Sequence, residues 1–232
     1  MTTAAVVPAA GRGERLGPGT PKALRLLGGV PLLVHSVRAL AAARSVELVV
    51  VAAPTADVTA VRTLLAEHDS GAEVRVVAGG ETRQQSVRLA LATLPDSVDV
   101  VLVHDAARPL VPVDLVDAVA AAVRGGAEAV VPALPVADTV KRGDRAGNVV
   151  ETLERSTLRA VQTPQGFRRS VLESAHLAAG ELEATDDAGL VERAGGTVTV
   201  VPGSEEAFKV TRPLDLLLAE AVLANRRSQH VR

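Results

Sequence analysis

"VVPAAGRGERLGPGTPKAL" occupies residues 6–24. An apolar strand runs straight into a loop, and across the stretch lie four glycines, three prolines, two arginines and one lysine. Glycine lets backbone amides approach a ligand closely, and the cations mark that ligand as an anion, with phosphate the first candidate. The fold follows if the rest of the chain repeats this strand-into-loop beginning.

It does. Val-rich runs alternate with segments of helical period, the mark of βαβ units. The apolar runs predict strands at 4–8, 47–53, 74–78, 98–103, 129–133 and 197–201. Their continuous apolar character fits strands covered on both faces, hence a mostly parallel sheet. The helical period predicts helices at 31–43, 56–67, 83–94, 112–124, 169–179, 187–194 and 213–225, with Pro31, Pro112 and Pro213 suited to first turns. The expected class is an α/β fold with a mostly parallel sheet, in one domain spanning 1–232. One segment breaks the rhythm: 136–167 has short alternating pieces around "RGDRAGN" and reads as a β-hairpin arm. The tail after Asn225 is expected to fray.

Composition narrows the chemistry. The 232 residues contain no isoleucine, tryptophan or tyrosine, and only Phe167 and Phe208 are aromatic. The core must be Val, Leu and Ala, and a single-stranded nucleic-acid platform built on aromatics is excluded. A net charge of −2 gives no broad basic field, which argues the same way. Cysteine is absent, so there are no disulfides, thiolate metal sites or cysteine nucleophiles. No apolar stretch approaches membrane-spanning length, and the expected location is the cytoplasm. Twenty-two arginines stand against three lysines, Lys22, Lys141 and Lys209. Either the surviving lysines sit where a compact ammonium is needed, or the imbalance is compositional.

Two glycine motifs fail on the opening loop. The dinucleotide fingerprint needs a third glycine where Leu16 stands and an acidic residue after the second strand, where the chain has Ala52-Ala53-Pro54. The P-loop needs Gly-Lys-Ser/Thr, but Lys22 lies between Pro21 and Ala23. A long loop of this kind can wrap a triphosphate, with amides near Gly11 and Gly13 and with Arg15 and Lys22 above them; the alternative is a turn whose cations are solvated.

Other stretches add candidates. "VLVHDAARP" (101–109) ends a strand with His104, Asp105 and Arg108 at its carboxyl edge, where open α/β sheets bind ligands. Asp105 suits Mg²⁺, Arg108 suits a second phosphate, and His104 reads as a structural histidine rather than a base. "AGGETRQQSV" (78–87) sets two glycines before a helix carrying Arg83 and Ser86, either for close approach to a base or ribose or as an ordinary turn. "TDDAGLVE" (185–192) offers Thr185 as a helix cap, with Asp186 or Asp187 as a lesser metal candidate. "FKVTRP" (208–213) places Lys209 in an apolar short strand, a position that requires an anion beside the ammonium.

Taken in order, "PAAGRGERLGPGTPKAL", "GGETRQQSV", "HDAARP", "VADTVKR", "RAVQTPQGF", "TDDAGLVE" and "FKVTRPLDL" resemble the 2-C-methyl-D-erythritol 4-phosphate cytidylyltransferases, CTP-using enzymes of the non-mevalonate isoprenoid pathway. The resemblance spans Ala4 to about Leu223. It implies a doubly wound, Rossmann-like α/β fold of the nucleotide-diphospho-sugar-transferase kind with a protruding dimerisation arm at about 136–160, a homodimer, and a Mg²⁺ requirement. It also implies transfer of CMP from CTP to a polyol phosphate. Carried onto this chain, Ala9, Ala10, Gly11, Gly13, Gly80, Ser86 and Ala106 would surround the nucleotide. Arg15 and Lys22 would stabilise charge at the α-phosphate, and Asp105 would hold the metal. Arg108, Thr139, Arg155, Thr163 and Lys209 would hold the sugar phosphate, with Thr139 and Arg155 donated by the partner's arm. Leu24 departs from the pattern, standing where relatives often carry an aromatic. The nearest rival is ribitol-5-phosphate cytidylyltransferase. A nucleotide-binding regulatory module without turnover is another, but it has no need of Asp105, Arg108 and Lys209 around one loop.

Overall fold

In chain order the elements are β1 (Thr2–Pro8), the short pair β2 (Leu26–Leu27) and β3 (Val30–Pro31), α1 (Leu32–Ala41), β4 (Leu48–Ala53), α2 (Val58–Ala66), β5 (Glu73–Ala78), α3 (Arg83–Leu91), β6 (Val98–Val103), α4 (Val113–Arg124) and β7 (Ala129–Pro135). There follow β8 (Lys141–Gly143), β9 (Val149–Thr152), β10 (Arg159–Val161), β11 (Gln165–Arg168), α5 (Arg169–Ala179), α6 (Asp187–Arg193), β12 (Val198–Pro202) and α7 (Pro213–His230). The structure, a computed structural model, describes residues 1–11, 21–68, 71–180, 182 and 184–230.

The central sheet runs β10-β7-β11-β6-β1-β4-β5, with β12 paired to β7. β1 lies between β4 and β6, parallel to both, and β4 is parallel to β5. Successive β1 residues point to opposite faces and every one from Thr3 to Val7 is buried, so both faces need a helical layer. Ala5 and Val7 join Val49, Val51 and Leu102 under α1, α2 and α4; Ala4 and Val6 join Val50, Val101 and Phe167 under α3, α5 and α6. The valine runs led to the expectation of a mostly parallel sheet covered on both faces, and the arrangement is the doubly wound one that the family resemblance implies. A third cluster, Leu27, Leu32, Leu110, Val210 and Ala219, fastens α7 across the start of α1.

The expected strands are present with ends moved by a residue or two, but the short pair β2 and β3 and two strands of the central sheet, β10 and β11, were not anticipated. Gln165–Arg168 of "TPQGF" inserts antiparallel between β6 and β7, separating two strands that would otherwise be neighbours. Gly166 makes the insertion possible. A Cβ there would lie 2.7 Å from Val119 Cγ1 and 3.0 Å from Val123 Cγ2, so a side chain would push α4 off the sheet. Elsewhere in the irregular segment β8 and β9 form the expected hairpin, paired antiparallel with every residue of both exposed, while β10 joins the central sheet antiparallel to β7.

Other boundaries differ for local reasons. Pro31 and Pro112 precede α1 and α4 as caps, and only Pro213 is the first helical residue. α7 does not fray after Asn225 but continues to His230, held where Arg226 pairs with Glu206 and donates to the Leu110 carbonyl, 2.6 Å away. Among the described residues, no helix is long and apolar enough to cross a membrane.

Candidate active site

Parallel pairing of β1 with β6, Val6 opposite Val103, delivers Pro8–Gly11 and His104–Arg108 to the same edge of the sheet. α3 starts beside them. Its N-cap Thr82 and Gln85 form a reciprocal capping box, which fixes the helix start and the direction of Arg83 and Ser86. The loops meet closely because Gly79 lacks a side chain: a Cβ there would fall 2.8 Å from Ala10 Cβ. Lys22, from a 3-10 turn, and Lys209, from the segment before α7, complete the rim. The result is an open cleft of about 170 Å³. Small residues (Ala9, Ala10, Gly11, Ala23, Ala106 and Ala107) line one part, and Lys22, Arg83, Ser86, Asp105 and Lys209 line the rest.

Asp105 is the electrostatic centre. Arg83 Nε donates to Oδ1 at 3.3 Å, Lys209 Nζ lies 2.7 Å from Oδ2, and Arg108 Nε stands 3.9 Å from the same oxygen. Burial works against the carboxylate charge, but Arg83 first and then Lys209 and Arg108 hold its pKa well below the usual range. Its backbone N–H donates to Thr163 Oγ1 at 3.0 Å, which fixes the loop as well as the side chain. With Lys22 added, the cleft carries a surplus of positive charge suited to a polyphosphate.

His104 is fully buried, between the Arg108 carbonyl at 3.2 Å and Thr163 Oγ1 at 3.1 Å. Burial pushes its pKa down to about 4, so the ring is a neutral strut, as expected from the sequence. Arg108 is buried too. Its guanidinium donates to the Ala207 carbonyl at 2.6 Å and the Val161 carbonyl at 3.4 Å, tying β10 and the Lys209 segment to the Asp105 loop.

Of the residues expected at a site, Ala9, Ala10, Gly11, Lys22, Ser86, Asp105, Ala106 and Lys209 come together in the cleft. Gly80 stands just behind, its N–H donating to Ser86 Oγ at 3.1 Å. Arg108 and Thr163 support the cleft from beneath and do not line it. Thr139 and Arg155 are exposed on the hairpin segment, Arg155 donating to the Ala137 carbonyl at 2.5 Å, and do not line the cleft of their own chain. Gly13 and Arg15 lie outside the described residues. Lys209 meets the anion its apolar flanks demanded, although it sits in irregular backbone and not in a strand. Asp186, not Thr185, caps α6, accepting from Gly189 N–H at 3.0 Å. Asp187 is buried away from solvent with Arg83 and His176. Sequence reading gave Arg83 no role; its position one residue after a capping Thr was visible, but its two carboxylate partners were not.

The family model described as 2-C-methyl-D-erythritol 4-phosphate cytidylyltransferase matches residues 3–225. The chain belongs to that family. A 2-C-methyl-D-erythritol 4-phosphate cytidylyltransferase of Streptomyces avermitilis is 62% identical over 233 residues, covering 97% of this chain and 93% of its own length. One from Saccharopolyspora erythraea is 56% identical over 97% of this chain and 100% of its own. Among solved structures, 4-diphosphocytidyl-2C-methyl-D-erythritol synthase of Anaerococcus prevotii superposes with a TM-score of 0.83 at 27% identity, covering 96% of each chain. 2-C-methyl-D-erythritol 4-phosphate cytidylyltransferase of Thermus thermophilus does so with 0.77 at 39%, covering 96% of this chain and 98% of its own. Like other members of the cytidylyltransferase family, this chain is a nucleotidyltransferase, and its cleft is the place to seek the transfer.

Proposed function

We propose that the cleft at the carboxyl edge of β1 and β6 transfers CMP from CTP to 2-C-methyl-D-erythritol 4-phosphate. The products are 4-diphosphocytidyl-2-C-methyl-D-erythritol and pyrophosphate, in isoprenoid precursor biosynthesis. The observation that carries the reading is the Asp105 cluster, one ionised carboxylate among Arg83, Lys209 and Arg108, beside a small-residue loop with Lys22.

The chemistry needs no general base. A phosphate monoester is largely dianionic at neutral pH, its second pKa being about 6, so the attacking oxygen is already deprotonated. That oxygen forms a bond to the α-phosphorus of CTP as the bond to the β-phosphate oxygen breaks, and pyrophosphate leaves with the electron pair. The barrier is repulsion between two polyanions. Lys22 and Lys209 offset charge that grows on the α-phosphate and the leaving group, and the backbone at Ala9–Gly11 lets the triphosphate approach. Arg15 has the same role in this reading. Arg108 and Thr163 hold the loop that presents Asp105.

Asp105 fits a magnesium site. It is a hard oxygen donor, kept ionised and lining the cleft, and Mg²⁺ takes one or two carboxylates with substrate phosphate oxygens completing the sphere. Among the described residues no group of three acidic or histidine side chains gathers to hold a metal alone, which is consistent with that division. A magnesium ion held there would supply positive charge and a template for the phosphate oxygens.

The hairpin segment 136–160 is assigned to a homodimer, with Thr139 and Arg155 completing the partner's acceptor site. In this reading the exposed Val149 and Val150 of β9, 63% and 62% accessible, would lie against the partner. The reaction is placed in the cytoplasm, since both substrates are multiply charged and do not cross membranes unaided.

The test is pyrophosphate release from purified protein with CTP, Mg²⁺ and each of two acceptors. Release with methylerythritol phosphate is expected. Release with ribitol 5-phosphate alone would change the acceptor, and release with neither would overturn the transferase reading.

A further inference from the structure

Behind the cleft lies a charged chain that the reaction as described does not use. His176 of α5 and Asp187 of α6 are 3% and 1% exposed, on helices that also bury Leu172, Ala188, Leu190 and Val191. His176 Nε2 donates to Asp187 Oδ1 at 2.9 Å, and Arg83 Nη1 donates to Asp187 Oδ2 at 2.6 Å. The same guanidinium turns its Nε to Asp105 at 3.3 Å.

Several observations say this is more than a satisfied ion pair. Asp187 is not needed to start α6, because Asp186 already caps that helix. An apolar residue would pack among its neighbours without the cost of burying a carboxylate. Both Asp187 oxygens are taken by donors from two different helices, so the carboxylate cannot rotate. Arg83 has a rigid planar fork, so anchoring Nη1 sets the direction in which Nε points. His176 Nδ1 is buried and has no hydrogen-bond partner among the described residues, so the ring is held through Nε2 and its contact with Asp187.

We propose that Asp187 and His176 are positioning residues that act through Arg83 to aim the Asp105 carboxylate into the cleft. The relay also sets the charge balance there, since Asp187 offsets one of the surrounding cations from behind. The inference rests on Asp105 belonging to the reacting site.

The experiment measures kcat, KM for CTP and melting temperature for Asp187→Asn, Arg83→Lys, the double variant, His176→Leu, His176→Gln and, as a control, Asp105→Asn. Asp187→Asn should lower kcat on the order of 10- to 100-fold, the range for partners that orient a ligating group. Its KM for CTP should stay level or fall, because the cleft gains positive charge. A lysine at 83 cannot reach both carboxylates, so Arg83→Lys should lose a similar factor, and the double variant should be no worse than the weaker single. His176→Gln keeps a donor to Asp187 and should recover kcat that His176→Leu loses; this pair decides the matter if Asp187→Asn fails to fold. Folded Asp187→Asn with kcat within twofold of wild type would overturn the relay, as would losses that multiply in the double variant or equal losses in both His176 variants. If Asp105→Asn is inactive while the relay variants are normal, the relay alone fails. If Asp105→Asn is itself fully active, the site assignment falls with it.

Discussion

Lys209 separates charge from geometry. Its ammonium lies 2.7 Å from Asp105 Oδ2, and its side chain is 37% exposed. In Lys209→Ala the carboxylate keeps Arg83 at 3.3 Å and Arg108 at 3.9 Å, so no uncompensated buried charge results. The pair is also partly screened by water. Stability should therefore fall by about 1 kcal/mol or less, a melting shift of roughly 2–4 °C in a chain of this size. Turnover should suffer far more. Removing one fixed donor aimed at developing charge costs about 10²–10³ in kcat, or roughly 3–4 kcal/mol of barrier. Lys209→Arg keeps the charge, but the longer planar group would crowd Arg108 at the same oxygen and misplace its donors, so it should remain impaired by at least about tenfold. The assay is steady-state pyrophosphate release with CTP and acceptor each varied, beside thermal melts. An arginine variant with wild-type kinetics would refute the geometric argument and reduce the scarcity of lysine to composition. An alanine variant whose activity loss merely follows a large melting shift would refute the catalytic one.

Lys22→Ala should abolish turnover and leave the melting temperature nearly unchanged, since its side chain lines the cleft outside the packed clusters. Asp105→Asn should abolish turnover too but also lower the melting temperature, because it leaves the buried Arg108 without its counter-charge; normal pyrophosphate release from either variant removes that residue from the mechanism. Mixing Arg155→Ala subunits with Lys22→Ala subunits tests the arm: random exchange gives about half mixed dimers with one intact site of two, so activity should return to about a quarter of wild type. A mixture that stays inactive despite confirmed exchange would mean that the hairpin serves its own subunit. For His104, burial lowers the folded-state pKa from 6.5 to about 4, so between those values the unfolded chain binds more protons. Its contribution is fully present above pH 6.5 and is lost as pH falls to 4, amounting to roughly 3 kcal/mol. Melts in EDTA should decline across that window for wild type and less for His104→Gln; parallel curves would show that the histidine does not titrate there.

The alternation of apolar and helical segments was enough to specify the layers, because a strand such as Ala4–Val7 that is apolar at every position has to be covered on both faces. It also specified the edge of the sheet at which the candidate cleft lies, since "HDAARP" and the glycine loop each follow a strand. Even the surroundings of Lys209 were legible: an ammonium between Phe208 and Val210 has to find an anion. β11 was not legible, because Gln165–Arg168 is too short and too mixed to declare a strand, and its extended form is imposed by β6 and β7 on either side. The buried pairing of Arg83 with Asp187 and Asp105 was likewise invisible. Arg83 lies 104 positions from Asp187 and 22 from Asp105; Asp105 reads alone as a metal candidate, but Arg83 reads as a surface charge and Asp187 as part of a helix start. Local pattern determines which segments are strands and helices and which face is buried, because those depend on neighbours a few residues away. The partners of a buried charge depend on which helices the sheet brings together, and only the tertiary fold supplies that proximity.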